Sequence, residues 1–244
     1  MLGPLFVAGV VARTHHFGPA LLRLGIPAVA MFAALLLARL LFPHGAERSA
    51  PASPAQAQPQ LPRVFRMYVV AAGLLACGFI DFPVLGAHFE SESLFKPAVI
   101  PLLYSLAMGV NGLTAVIFGR LYDRYGLIVL TFGIVLSMLA LPLGFLGSVP
   151  GAIAAVICWA TGLGVQDATL RSGIAQAVSM NKRGTAFGLF NGVYGVMWFL
   201  GSAIMGLLYS YSIVALVAFG IAAQLAAAIM FAAVRRPLET ASNH

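Results

Sequence analysis

Ionised side chains are scarce in this 244-residue sequence: Asp, Glu, Lys and Arg make up 9% of it, against about 25% in an ordinary soluble domain. Hydrophobic residues reach 61% and the mean hydropathy is +0.96, which excludes a globule that keeps a polar surface in water. Cysteine is nearly absent. Cys77 and Cys158 both fall inside apolar runs, so neither a disulfide framework nor a C-x-x-C metal site is available. Also missing are a glycine-rich phosphate loop of the Walker type, an H-E-x-x-H pair and a nucleophile elbow, and no cofactor or metal is called for; enzyme chemistry is not expected. The adjacent His15 and His16 read as solvated loop histidines. Acids are few, seven against fourteen basic residues, for a net charge of +7. The basic residues stand singly or in pairs between apolar runs and not along one stripe, so no nucleic-acid surface is implied.

What is present is long apolar sequence without the two-residue alternation of a membrane barrel, so the fold class is all-α, polytopic membrane protein. A hydrocarbon core of about 30 Å needs about 20 apolar residues per crossing. Charges and turn residues divide the chain into seven full spans at 18–42, 65–86, 97–119, 127–147, 150–172, 185–208 and 213–234. SVPG at 148–151 and YSYS at 209–212 are the expected breaks in two uncharged stretches that are too long for one helix each. Residues 1–12 are uncharged and too short to span, and they read as the last half of a helix. Residues 43–63 carry five prolines among Ala, Gln and Ser and read as a flexible linker or an ordinary long loop.

Placing that linker in the cytoplasm puts eleven of the fourteen basic residues on the same side and leaves Arg13, Arg23 and Lys96 outside, with the acidic segment HFESES at 88–93. The positive-inside rule favours that orientation, with 120–126, 173–183 and the C-terminus cytoplasmic. One of the cytoplasmic loops reads GRLYDRYG, residues 119–126. Glycine at both ends lets two helix backbones approach closely, and a carboxylate there can accept from a neighbouring helix N-terminus. The plainer reading makes Arg120 and Arg124 topology markers.

Gly119, Asp123, Arg124 and Gly126 resemble the G-x-x-x-D-R-x-G-R-R pattern of the major facilitator superfamily, found between its second and third and its eighth and ninth helices. Leu127 and Ile128 stand where the basic pair would follow. Gly3-Pro4 is similar to the Gly-Pro of the family's fifth helix, and RGTAFGLFNGVYGVMWFLGS at 183–202, opening with Arg183 and Gly184, is similar to the start of the eleventh. The resemblance implies a C-terminal six-helix bundle over 65–236 with a tail at 237–244, a linker at 43–64, and one and a half helices of the N-terminal bundle in 1–42. The chain would then be a fragment from the end of helix five onward, its partners the lipid bilayer, the missing bundle or a second copy, and a small solute. It further implies that Arg124 pairs with Asp167, shared with Arg171, while Asp123 points toward the missing bundle. These charges would form a latch that holds in one access state and releases in the other.

Other candidates come from the residues themselves. Asp81 lies within the span 65–86 with Cys77 and Gly78 a turn earlier and Pro83 just after; an ionisable group at that depth marks a coupling or substrate site, or else caps a helix end near the outer interface. Tyr104 and Asn111 share a face of the span 97–119, and Gln166 sits beside Asp167. In 185–208, Asn191, Tyr194, Trp198 and Ser202 recur at helical spacing and read as a cavity wall or as packing. Gly184, Gly188 and Gly192 form a small-residue stripe suited to close helix contact. The function expected is a secondary active transporter of a small solute in the inner (plasma) membrane, multi-pass, with a proton as candidate coupling ion. The alternative is a non-transporting half-bundle acting as a membrane partner or sensor, or an inactive remnant.

Overall fold

The computed structural model describes residues 18–41, 61–178 and 180–241. They fall into two units, divided between Gln60 and Leu61. In the first unit, α1 (Gly18–Leu41) is 24 residues long, about 36 Å at 1.5 Å per residue, and coincides with the expected span 18–42. The half helix expected before it, His15 and His16, and nearly all of the linker lie outside the described residues.

The second unit contains α2 (Arg63–Gly78), α3 (Phe82–Ser91), α4 (Ile100–Tyr125), α5 (Ile128–Phe145), α6 (Val149–Ala177), a 3₁₀ turn (Met180–Lys182), α7 (Arg183–Tyr211) and α8 (Ile213–Ala241). Counting α2 and α3 as one crossing, six segments among the described residues are long and apolar enough to span a membrane. Proline marks the starts: it occupies the first or second position of α3, α4 and α6, where its missing N–H costs nothing and its fixed φ suits the first turn.

The helices pack as two triples. α2 lies against α7 and α8, α6 lies against α4 and α5, and α5 meets α8 between the triples. Two buried clusters fill the interior. One gathers Phe65 and Tyr68 with Tyr122, Leu130, Ile174, Phe190 and Phe231; the other gathers Phe79, Phe82 and Phe89 with Phe145, Trp159, Met205 and Leu216. Close approach is bought with glycine: a Cβ on Gly201 would collide with the Cys77 carbonyl, and one on Gly162 with Ser137 Oγ. Outward-facing large apolar side chains such as Leu113, Phe199 and Ile229 belong in lipid, not water, which is consistent with a polytopic membrane protein.

Three segments differ from the sequence expectation. The span 65–86 is not one helix, because Phe79–Asp81 runs extended between α2 and α3. Pro83 explains the position of the break, since a continuous helix would need its absent N–H to bond Phe79 O and would drive its ring into that carbonyl. Residues 88–91, expected in a loop, complete α3. Residues 120–125, also expected as loop, are the last turns of α4, and only Gly126 and Leu127 connect it to α5. Gly126 adopts φ 66° and ψ −150° with its N–H on Tyr122 O at 2.7 Å, a conformation essentially confined to glycine.

Candidate functional site

Asp81 occupies the break, at the N-cap position of α3. Its side chain turns to α7, where Trp198 Nε1 donates to Oδ1 at 2.6 Å and the Ser202 hydroxyl donates to Oδ2. The backbone freed by the break is also taken up. Trp159 Nε1 on α6 donates to Ile80 O at 2.7 Å, and Gln224 Nε2 on α8 donates to Gly78 O at 2.9 Å. Each is a donor carried by a different helix, so α6, α7 and α8 together hold an irregular segment that lipid could not tolerate. Asp81 itself is half-buried, and it keeps accepting capacity, since two oxygens offer about four lone-pair sites.

One turn along α7 from Trp198, Tyr194 belongs to a second polar group; the two rings are 5.6 Å apart. Tyr194 OH points to Gln166 Oε1 at 3.5 Å, and Gln166 Nε2 donates to Ser137 Oγ at 3.3 Å. Gln166 is fully buried, so this chain of bonds satisfies an amide inside the bundle. Nearby Asn111 Nδ2 donates to Asp167 Oδ2 at 3.3 Å across α4 and α6. Tyr104 meets Phe82, the residue after Asp81, at 4.7 Å with the rings tilted by 43°. Of the polar face read on α7, Tyr194, Trp198 and Ser202 turn inward, whereas Asn191 is exposed.

The charged end of α4 is arranged differently from the latch the resemblance implies. Arg124 lies over the ring of its neighbour Tyr125, 5.3 Å from the centroid, and Asp167 accepts from Asn111; among the described residues no Arg124–Asp167 ion pair forms in this conformation. Asp123, Arg124 and Arg171 are exposed. Gly119 faces Ala168 across the contact of α4 with α6, 3.9 Å from where its Cβ would be. Arg183 Nη2 donates to Ala175 O at 3.0 Å, closing the end of α6. The stripe Gly184, Gly188, Gly192 makes no close contact among the described residues; the tight helix contacts come from glycines such as Gly201 and Gly173 instead.

Sequence reading missed Trp159, Gln224 and Ser137, which fell among apolar residues with no spacing signal. It also missed His88, which is buried against the Phe145 ring, with Nδ1 3.3 Å from Tyr209 OH, and Ser91, whose hydroxyl lies 2.9 Å from that same oxygen. Together they pin the far end of α3 to the end of α7. Gly78 and Pro83 flanking the segment were the available signal, because a broken helix must have its freed carbonyls satisfied by donors elsewhere.

A broken helix inside a six-span bundle defines a polytopic all-α membrane protein. Residues 1–202 match the Major Facilitator Superfamily, and the chain belongs to that family. It is 34% identical over 243 residues to the uncharacterized protein Mb2288 of Mycobacterium bovis (strain ATCC BAA-935 / AF2122/97). The same identity holds for the uncharacterized protein Rv2265 of Mycobacterium tuberculosis (strain ATCC 25618 / H37Rv). Each comparison covers 97% of this chain and 59% of the relative, so the chain spans about three fifths of their length. No solved structure matches.

Proposed function

We propose that the chain is the coupling half of a secondary active transporter that moves a small solute by alternating access, with Asp81 as the group whose charge changes during the cycle. The carrying observation is the position of Asp81: a carboxylate in a membrane span, at a helix break, held by two donors from one neighbouring helix. A charge at such depth costs about 2.5–3.5 kcal/mol on insertion scales, and charge-assisted hydrogen bonds offset part of that. Protonation would remove the charge, weaken the hold of Trp198 and Ser202, and free α3 to shift against α7.

The second bundle required for rocking about a midplane site would come from sequence corresponding to the remaining length of the relatives, or from a second copy. The charge bias supports a linker and C-terminus that face the cytoplasm, and the plasma membrane is the proposed location. Arg124, Asp123, Asp167 and Arg171 would serve as the latch in the other access state, with Arg124 swinging from Tyr125 to Asp167. Energised vesicles carrying the chain, alone or co-expressed with an N-terminal six-helix half, provide the test, with a panel of labelled solutes. Accumulation is expected only in the two-half vesicles, lost on collapsing the proton gradient and lost in Asp81→Asn. Uptake that is unchanged in Asp81→Asn would remove Asp81 from the coupling role, and uptake by the 244-residue chain as a monomer would overturn the two-bundle requirement.

A further inference from the structure

We infer that the site at Asp81 takes an organic cation with an aromatic or otherwise apolar body. This rests on the transporter reading above and names its substrate class. The indole that holds the carboxylate, Trp198, belongs to a continuous run of ring contacts contributed by the break, α3, α4, α6 and α7. Tyr104 meets Phe82 at 4.7 Å, Phe82 meets Trp159 at 5.6 Å, Trp159 meets Phe79 at 5.8 Å, Phe79 meets Trp198 at 5.5 Å and Trp198 meets Tyr194 at 5.6 Å. Phe79, Phe82 and Trp159 are buried and form the backing, while Tyr104, Tyr194 and Trp198 are half-buried and present the accessible edge. A half-exposed carboxylate bonded to one ring of an aromatic run is an arrangement that attracts a cation: the charge is neutralised by Asp81 and the apolar body rests on neighbouring rings, whose quadrupoles also favour positive charge.

The charge pattern along the chain points the same way. No Lys or Arg occurs in 67–95, 97–119, 125–170 or 184–234, so every basic side chain of the bundle except Arg171 stands at a helix end or in a connection. Arg171 is about 18 Å along α6 from Trp159 at 1.5 Å per residue. A carboxylate or phosphate substrate would meet Asp81 with no cation to offset it, and the repulsion would be strong at low dielectric. A sugar needs many hydrogen-bonding groups around it, and the amides Gln166 and Gln224 are both fully buried with Nε2 already donating within the bundle.

The protein reports its own occupancy, because its two tryptophans, Trp159 and Trp198, both lie in this run of rings. Tryptophan emission of the chain in zwitterionic nanodiscs is titrated with tetraphenylphosphonium and with tetraphenylborate, an anion of the same shape, empty nanodiscs giving the partitioning background. Saturable quenching by the phosphonium alone is expected. Asp81→Asn should weaken it tenfold or more and Asp81→Glu should retain it within a few fold. Tyr104→Ala, which leaves the carboxylate and both tryptophans in place, should weaken it about three- to tenfold. Quenching of equal strength by both ions, or an Asp81→Asn protein that elutes as the parent does and binds as tightly, would overturn the assignment. Should Asp81→Asn not fold, an unchanged affinity in Tyr104→Ala would overturn it equally. The measurement is made at equilibrium without a gradient, so a failed transport assay with intact phosphonium binding would sink the transporter reading and leave the site, whereas absent binding would sink the site and leave the transporter.

Discussion

Replacing Trp159 with Phe isolates one hydrogen bond at the helix break. The indole N–H donates to Ile80 O at 2.7 Å, and both residues are at most 3% exposed. A Phe ring keeps most of the packing against Phe79 and Phe82, so the perturbation is chiefly the loss of a donor to a buried carbonyl. Leaving such a group unsatisfied costs about 1–3 kcal/mol in protein interiors, whereas hydrogen bonds between membrane helices average about 0.6 kcal/mol. The buried and irregular setting of Ile80 argues for the upper part of the membrane range, so a loss of about 1–2 kcal/mol is expected. Reversible unfolding of the purified chain by increasing SDS in mixed micelles measures it, with Trp198 the sole remaining tryptophan. Its emission should also shift, because slack at Ile80 is transmitted one residue to Asp81 and thence to the indole it bonds. A stability change below about 0.3 kcal/mol with unchanged Trp198 emission would refute the claim that α6 holds the break.

Gln224→Leu should destabilise by a similar amount through Gly78 O, and because the two carbonyls are separate, its effect should add to that of Trp159→Phe within about 0.5 kcal/mol in the same unfolding assay. Gly201→Leu should cost more than about 2 kcal/mol, since its side chain would meet the Cys77 carbonyl, while Gly188→Leu should be neutral or slightly stabilising in this chain, where nothing opposes it. In a double-mutant cycle in micelles, Asn111 and Asp167 should couple by about 0.5 kcal/mol and Arg124 and Asp167 by nothing measurable; a large Arg124–Asp167 coupling would show the latch closed in this state. For orientation, single cysteines at Ser53 and Ser91 in a background lacking Cys77 and Cys158 should give labelling by an impermeant maleimide at Ser91 only in intact cells, and the reverse pattern would invert the topology.

The six crossings of the bundle could be read from sequence because lipid allows little else. An apolar run of spanning length must be helical, and the breaks at SVPG and YSYS follow from run length, the structure having them at Leu146–Ser148 and Ser212. Helix ends were less legible. Charged residues suggest loop, yet 120–125 and 88–91 are helical, because a helix can extend past the hydrocarbon and carry its charges on its own last turns. The broken helix escaped for a different reason. Pro142 sits inside α5, where Leu146 N still bonds Pro142 O and the helix runs on, so proline by itself does not announce a break. What separates Pro83 is that donors from three other helices stand ready for the freed backbone and carboxylate, and that fact lies in tertiary structure.

Asp81 shows how far the two kinds of reasoning reach. An acid in an apolar run is a local property of sequence, and it was legible as a candidate. Its meaning depends on Trp198 and Ser202 being four residues apart on one helix and opposite the break, and on Trp159 and Gln224 reaching in from two more. The same three helices would have to move for α3 to be released, so the carboxylate at the break and the elements that would transmit a change in its charge are joined by direct hydrogen bonds rather than through a long path. If that is the working part of the transporter, substitutions at Trp159 and Gln224, which touch no charge, should alter the response to pH as well as the stability. Substitutions at Asn191, exposed two turns before Trp198 on α7, should alter neither.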